Sequence, residues 1–510
     1  MLRLGIDLGT TRTIVAAGDR GNFPVVGFTH LDGDMIDHYP SVTAEVGGRL
    51  VHGLEAEIAE REGAPSLRSW KRLLADAAQH EVLRIGTVEI AAADLVVDFL
   101  ESLRRDLHDR SNVGAFDDGA IEAVVSVPAN AHSTQRFLTL EGFRRAGIRV
   151  RAVMNEPSAA GIEYAHRHAT TLNTRREHVV VYDLGGGTFD AALVHIADRR
   201  HDIRATNGVS RLGGDDFDAQ LLAMALERAG RELPDSMRQR ADLLRECRAV
   251  KEAIHPNSKR IVVDLSALEG DAPTEPIVIP AQEYYDRVRP LVEATLAALE
   301  PVLAILHESG DGDIAGIYMV GGASGLPCVS RIVRERFGRR VHRSPHPAAA
   351  TAIGLAIAAA AEDQGEGVVV DERFTRHFGV FREADAGGRV TFDGIFEKGT
   401  PMPRLGEAPL VARRVYRAAH NVGHFRFVES GSLDDHGDPK GDITPHAEIV
   451  FPFDRAMSLQ GAMATEGVLP IQRLPGDGPL IEEKYEVDAA GVIAVTITDL
   501  EAGRGARYVL

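Results

Sequence analysis

The 510-residue chain is short of cysteine, of positive charge and of long apolar runs, and each shortage closes off a class of function. Its two cysteines, Cys247 and Cys328, stand far apart, so neither a disulfide framework nor a zinc site can be read, and a reducing cytoplasm is the natural setting. The formal net charge is −18, which argues against non-specific binding of nucleic acid or an anionic membrane, since both need a basic face. The longest apolar stretch, "AIGLAIAAAA" (Ala352 to Ala361), is too short and too rich in alanine to span a bilayer. The opening "MLRLGIDLGTTRT" has neither the apolar core nor the cleavage site of a signal peptide, so no leader is expected. A G-x-x-x-x-G-K-[ST] string is also missing, which excludes a Walker-type nucleotide loop.

What the chain does have is glycine set beside carboxylates. "VVVYDLGGGTFDAALV" (Val179 to Val194) runs from a strand-like stretch into Asp183, three glycines, Thr188 and Asp190. It is either a hairpin turn or a place where backbone must approach an anion closely. Two similar turns follow strand-like runs, Asp7-Leu-Gly-Thr-Thr11 and Val320-Gly-Gly-Ala-Ser-Gly325. Glycine lets N–H groups point inward with no Cβ in the way, which suits phosphate oxygens, and the hydroxyls of Thr10, Thr11 and Thr188 add donors. Carboxylates beside phosphates repel unless a cation intervenes. Asp7 and Asp183 therefore point to Mg²⁺ held through its waters.

"LGIDLGTTRTIVAAG" and "VVYDLGGGTFDAALV" share a strand–Asp-Leu-Gly–turn–strand pattern, which predicts two related lobes beginning with the same hairpin. Strands alternate with helical patterns to about residue 362, an α/β architecture with lobes of about 1–170 and 171–362. A polar connector, 363–372, carries a short valine run. From 373 to 510 the pattern is strands and turns, predicting an all-β sandwich. Within it, Gly431 to Pro445 ("GSLDDHGDPKGDITP") is turn-rich and expected to be an exposed loop.

With these motifs placed, the chain resembles the 70-kDa heat-shock chaperone (Hsp70) family, built on the actin-like ATPase fold. "GIDLGTTRTIVA" resembles its first phosphate loop, "VVSVPANAHSTQR" its strand–Pro–helix, "NEPSAAGIEYA" its Glu-Pro turn and "DLGGGTFD" its second phosphate loop. "LGGDDFD" and "MVGGASGLP" resemble the segments that close the second lobe. The resemblance implies that Asp7, Gly9, Thr10, Thr11 and Arg12 form a phosphate-and-magnesium loop. Lys71 is implied as the catalytic lysine, and Glu156 as a carboxylate near the metal's water shell. Asp183 and Asp190 would order water or K⁺, and Gly185, Gly186, Gly187 and Thr188 would meet the γ-phosphate. Gly213, Gly214, Arg248, Lys251, Glu252, His255, Gly321, Gly322, Ala323 and Ser324 would contact the rest of the nucleotide. Pro128, Arg136 and Pro157, with the linker residues Val368, Val369, Val370 and Asp371, are implied to relay nucleotide state. A valine run suits addition to a sheet edge, each buried valine contributing ~1.5 kcal/mol or more.

The base end departs from the family pattern. Arg248 stands where the family has Glu, and Glu252 where it has Arg, an i,i+4 pair that could still bridge with reversed polarity. His255 replaces a serine, Ala348 an aspartate, and Gly325 the arginine that stacks on adenine. Weaker adenine selectivity or affinity is expected. The sequence stops at "RYVL" without the family's helical lid, so rapid peptide release is expected. The implied function is a slow ATPase using ATP/ADP and Mg²⁺, coupled to binding of an extended peptide or client, with J-domain and exchange co-chaperones. The alternatives are a nucleotide-dependent scaffold with one partner and, on the same fold, a sugar kinase.

Overall fold

The computed structural model describes residues 2–30, 32–71, 82–114, 116, 121–129, 131, 133–172, 176–197, 200–209, 211–268, 275–309, 314–338, 340–361, 369–384, 388–404, 406–455, 457, 471–474 and 476–510. They form two units. The first comprises 1–130 and 138–370, and the second 131–137 and 371–510. No helix among the described residues is long and apolar enough to cross a membrane.

The first unit holds two sheets of matching plan. One runs in the order Arg149–Asn155, Ile121–Val127, Leu2–Leu8, Arg12–Ala17, Tyr39–Pro40. Leu2–Leu8 makes a hairpin with Arg12–Ala17 and a parallel pair with Ile121–Val127. The other sheet runs Val341–Arg343, Ile314–Val320, His178–Leu184, Phe189–Ala197, Arg200–Val209, and Val369–Asp371 takes its edge. Here too the first strand, His178–Leu184, pairs with its hairpin partner on one side and a parallel strand on the other. Ile121–Val127 and His178–Leu184 are buried along their whole length, as apolar strands of parallel sheets covered on both faces should be. Asp7 and Asp183 each occupy the last-but-one position of their strand. The two motifs thus reach equivalent ends of two equivalent sheets.

The helix Ala350–Ala361 joins this frame. Ten of its twelve residues are buried, against Ile14, Val124, Ala159 and Ile162. Its alanines permit contact at backbone distance. A Cβ on Gly5 would lie 2.3 Å from the Ala352 carbonyl oxygen, and one on Gly354 1.8 Å from that of Ala159. The apolar stretch is therefore an interior strut. Separate apolar cores fill the two lobes, one around Trp70, Phe99 and Phe143 and the other around Phe217, Tyr284 and Val288.

The second unit contains two antiparallel four-stranded sheets. One is ordered Arg389–Phe396, His377–Ala384, Val422–Leu433, Pro439–Pro452, and the other Leu410–Arg417, Leu480–Val487, Ile493–Asp499, Arg504–Val509. Leu480–Val487 alternates between buried and half-buried residues, and its inward Ile481, Tyr485 and Val487 meet Phe378, Phe427 and Phe451. The expected loop from Gly431 to Pro445 is mostly strand: Val422–Leu433 and Pro439–Pro452 pair across it in a long hairpin. Only 434–438 turns, with the Asp434 carboxylate accepting from the His436 and Asp438 N–H groups. Aspartate and glycine made the segment read as turn, but ladder pairing with a neighbouring strand overrides that local preference.

Candidate functional site

The three glycine turns meet at the ends of the two sheets. A Cβ on Gly186 would lie 2.6 Å from the Thr11 side chain, so the second turn touches the first. A Cβ on Gly213 would meet the Gly187 nitrogen at 2.5 Å, and one on Gly321 the Asp183 Oδ1 at 2.4 Å. Of these, only Gly321 has left-handed backbone, with φ 81°. Within the triple glycine, Gly186 is thus needed for close approach, not for its φ. The Gly185 and Gly186 carbonyls accept from the Gly214 and Asp215 N–H groups at 2.9 and 2.8 Å, fixing this turn to the start of the helix Gly214–Ala229. In the first turn the Gly9 carbonyl accepts from the Ser41 hydroxyl at 2.9 Å.

At the centre stand four carboxylates and one ammonium. Lys71 is 5% exposed and its Nζ lies 3.0 Å from Glu156 Oε1. Glu156 opens the helix Glu156–Arg167, with Pro157 in the first turn, where a missing N–H costs no hydrogen bond. Ser69, two residues before Lys71, has φ 54°, unusual for a non-glycine residue, and donates to Asp215 Oδ2 at 2.9 Å. Asp7 accepts from the Ser126 hydroxyl at 2.8 Å. Burial, then the neighbouring Glu156, raises Asp7 to a pKa of about 7, against the pull of Lys71 and Ser126. The same two causes raise Asp190 to about 7, and Asp183 is driven well above the carboxylate range by burial, Glu156, Asp190 and Asp7. Burial opposes the Lys71 charge, but Glu156, Asp7 and Asp190 outweigh it and raise its pKa. One lysine cannot balance two buried and two half-buried acids, so the pocket favours cations. Among the described residues no group of three His, Cys, Asp or Glu could hold a metal directly. This donor set fits an ion bound through its waters, as Mg²⁺ prefers.

Away from the acids the charged residues pair with one another. Arg248 does not bridge to Glu252. Its guanidinium reaches Asp215 at 2.9 Å and Asp218 at 3.4 Å. Glu252 accepts from Arg12 Nη2 at 2.5 Å, linking the second lobe to the first turn of the first. The helical i,i+4 bridge loses because each partner has a tertiary alternative. Lys251 is buried against Asp218 Oδ1 at 2.6 Å and the Gly214 carbonyl at 2.8 Å. His255 is exposed, and its N–H donates to Ser258. Ser324 is fully buried and donates to the Gly321 carbonyl at 2.7 Å, while Ala348 borders Gly322.

The family model described as Hsp70 protein matches residues 79–371. The chain belongs to the Hsp70 family. Its α/β two-lobed unit has the actin-like ATPase fold of that family, followed by the β sandwich. It is 32% identical over 383 residues to a Chaperone protein HscA homolog of Cupriavidus necator, covering 70% of this chain and 58% of that one. A Chaperone protein HscA homolog of Methylibium petroleiphilum is 33% identical over 373 residues, with the same shares. Chaperone protein DnaK of Thermotoga neapolitana is 28% identical over 525 residues, covering 98% of this chain and 79% of the relative. The chain thus spans 58% of the length of the two HscA homologs.

Within the Hsp70 frame, the residues expected at the phosphate end do come together, and those expected to relay nucleotide state fall in different parts of the chain. Pro128 is half-buried and Pro157 buried in the first unit. Arg136 belongs to the second unit, buried, with Nη1 donating to the Ala490 carbonyl at 3.4 Å. Val369, Val370 and Asp371 form the edge strand, Asp371 pairing with Arg404, and Val368 lies outside the described residues. Sequence reasoning missed Ser126, Ser69, Asp215 and Asp218. Ser126 had a signal, a lone hydroxyl inside the apolar run "AVVSV". Asp215 and Asp218 stand in the quoted "LGGDDFD" but have no periodic mark. Ser69 had none.

Proposed function

We propose that this Hsp70-family chain is an ATP-dependent chaperone that binds ATP and ADP with Mg²⁺ between its lobes and hydrolyses ATP slowly. Nucleotide state is coupled to binding of an extended peptide or client protein by the β sandwich. The observation that carries the reading is the cluster of Asp7, Glu156, Asp183 and Asp190 around buried Lys71, walled by glycine turns. When bound, Mg²⁺ supplies the positive charge that lets phosphate oxygens stand beside these acids. Backbone N–H groups of the turns, with the Thr10, Thr11 and Thr188 hydroxyls, hold the phosphates. Lys71 stabilises charge on the transferring phosphoryl, and Glu156, Asp183 and Asp190 orient the attacking water, so positioning and electrostatics supply most of the rate. Asp190 and Asp183 also suit a monovalent cation such as K⁺.

Two observations support coupling. Val369–Asp371 extends the second lobe's sheet at its edge, where a main-chain ladder can form or break. The relatives described above carry the name chaperone. J-domain and exchange co-chaperones and a cytoplasmic setting belong to the same reading. Titration of ATP with and without Mg²⁺ tests it, followed by turnover measured with an apolar peptide series. Magnesium-dependent affinity and peptide-stimulated turnover are expected. A chain that binds no nucleoside triphosphate in Mg²⁺ buffer would falsify the reading.

A further inference from the structure

Beyond the acid cluster, the turn Gly321–Gly325 leads along the second lobe. Gly321 borders Asp183, and the short 3-10 turn Gly322–Gly325 advances ~2 Å per residue, so Gly325 lies roughly 6–8 Å from Gly321 along it. Ala323 and Lys251 flank the way at Gly214, where a Cβ would stand 3.5 Å from Ala323 Cβ and 3.1 Å from Lys251 Nζ. The family resemblance implies that a bound nucleotide runs its nucleoside along this turn.

At the far end the missing side chain of Gly325 leaves a space, and a guanidinium enters it from another element. Arg343, the last residue of the strand Val341–Arg343, places Nη2 2.9 Å and Cζ 3.9 Å from where a Cβ of residue 325 would be. Three other cations of this end are committed: Arg12 to Glu252, Arg248 to Asp215 and Asp218, and Lys251 to Asp218. Arg343 is exposed, and among the described residues no ion pair with a carboxylate is seen for it. It is the cation of this group with a face to offer.

We propose that Arg343 holds the base of the bound nucleotide by laying its guanidinium plane against the ring, an inference that rests on the nucleotide reading above. A planar guanidinium stacks on a π face, and every base has one, so the contact gives affinity with little discrimination between bases. This is the physical form of the relaxed adenine preference that the altered base-end residues lead one to expect. Arg343 is a base-binding residue that acts on the base and leaves the phosphates alone.

The test is calorimetric titration of the full chain with magnesium ATP, magnesium GTP and magnesium tripolyphosphate. Wild type, R343A, R343K and G325A are compared, with folding checked by circular dichroism and Trp70 fluorescence. Wild type should hold ATP and GTP with affinities within about tenfold of each other. R343A should lose about tenfold for both nucleotides, the equivalent of ~1.4 kcal/mol of stacking, and nothing for tripolyphosphate. R343K keeps the charge without the plane and should behave like R343A. G325A keeps Arg343 but crowds its Nη2, and should lose less, in the same direction. Equal loss for tripolyphosphate, unchanged nucleotide affinity in R343A, or full rescue by R343K would overturn the role of Arg343. Wild type that binds neither nucleotide nor tripolyphosphate removes the nucleotide reading itself, so the two failures are distinct.

Discussion

Replacing Lys71 by methionine isolates the electrostatics of the site. The substitution keeps an apolar stem and deletes the one ammonium among Asp7, Glu156, Asp183 and Asp190. Removing one partner of a buried ion pair costs about 3–5 kcal/mol, because the other charge stays buried and uncompensated. The sign of the pH dependence follows from the raised carboxylates. Asp7 and Asp190 titrate near 7 in the folded chain and near 3.8 when unfolded. Between those values the folded state binds more protons, so stability falls as pH rises through the window. Lys71 lowers the pKa of all three aspartates, so its loss raises them further and extends the window upward. Lys71→Met should therefore be weakest relative to wild type near pH 8 and closest to it near pH 5, where Asp7 and Asp190 are protonated. Trp70, the single tryptophan, is fully buried beside Lys71, so its fluorescence in urea reports the first lobe alone. Without divalent cations we expect a deficit of about 3–5 kcal/mol at pH 8, less than half of it at pH 5, and partial recovery with MgCl₂. A Lys71→Met deficit that is the same at both pH values, and indifferent to Mg²⁺, would refute the view that these carboxylates feel one another and the lysine.

Three further outcomes are expected. Gly354→Ala drives a methyl into the Ala159 carbonyl and should destabilise the first unit by about 1–3 kcal/mol in thermal unfolding, with no loss from the β sandwich. In the sandwich, Arg382 grips fully buried Glu483 with two hydrogen bonds of 3.0 and 2.6 Å. Arg382→Met should cost about 3–5 kcal/mol, and adding Glu483→Met should recover most of it in a double-mutant cycle; additive losses would show that the two charges are not coupled. His201 is buried, which lowers its pKa from 6.5 to about 4. The unfolded chain takes up a proton there that the folded chain refuses, so stability is lost as pH falls from about 6.5 to 4, by ~3 kcal/mol at the lower end. The unfolding free energy of His201→Gln relative to wild type should therefore rise as pH falls across that window and stay constant above pH 7.

The meeting of glycine turns and acids was legible because its signals are local. Asp7 and Asp183 precede glycine turns at strand ends, and a turn's composition is set within a few residues. The β sandwich was legible from alternation, as in Leu480–Val487, where every second residue faces the core. The segment 431–445 was misread because glycine and aspartate look the same in a free loop and in a twisted hairpin. The bridge that Arg248 and Glu252 could make does not form, for a related reason. Helical spacing shows which side chains can meet on one helix and is blind to Asp215, Asp218 and Arg12 arriving from other elements.

By itself, the order of residues determined where the chain turns sharply, which faces are apolar and which acids stand beside glycines, since these depend on backbone sterics and periodicity within a short span. Tertiary structure alone decided that Lys71 and four acids share one buried pocket, that Ser126 and Ser69 serve it, and that Arg343 lies over Gly325. Charges interact through space, and burial, which strengthens that interaction and moves each proton affinity, exists only once distant segments have packed together.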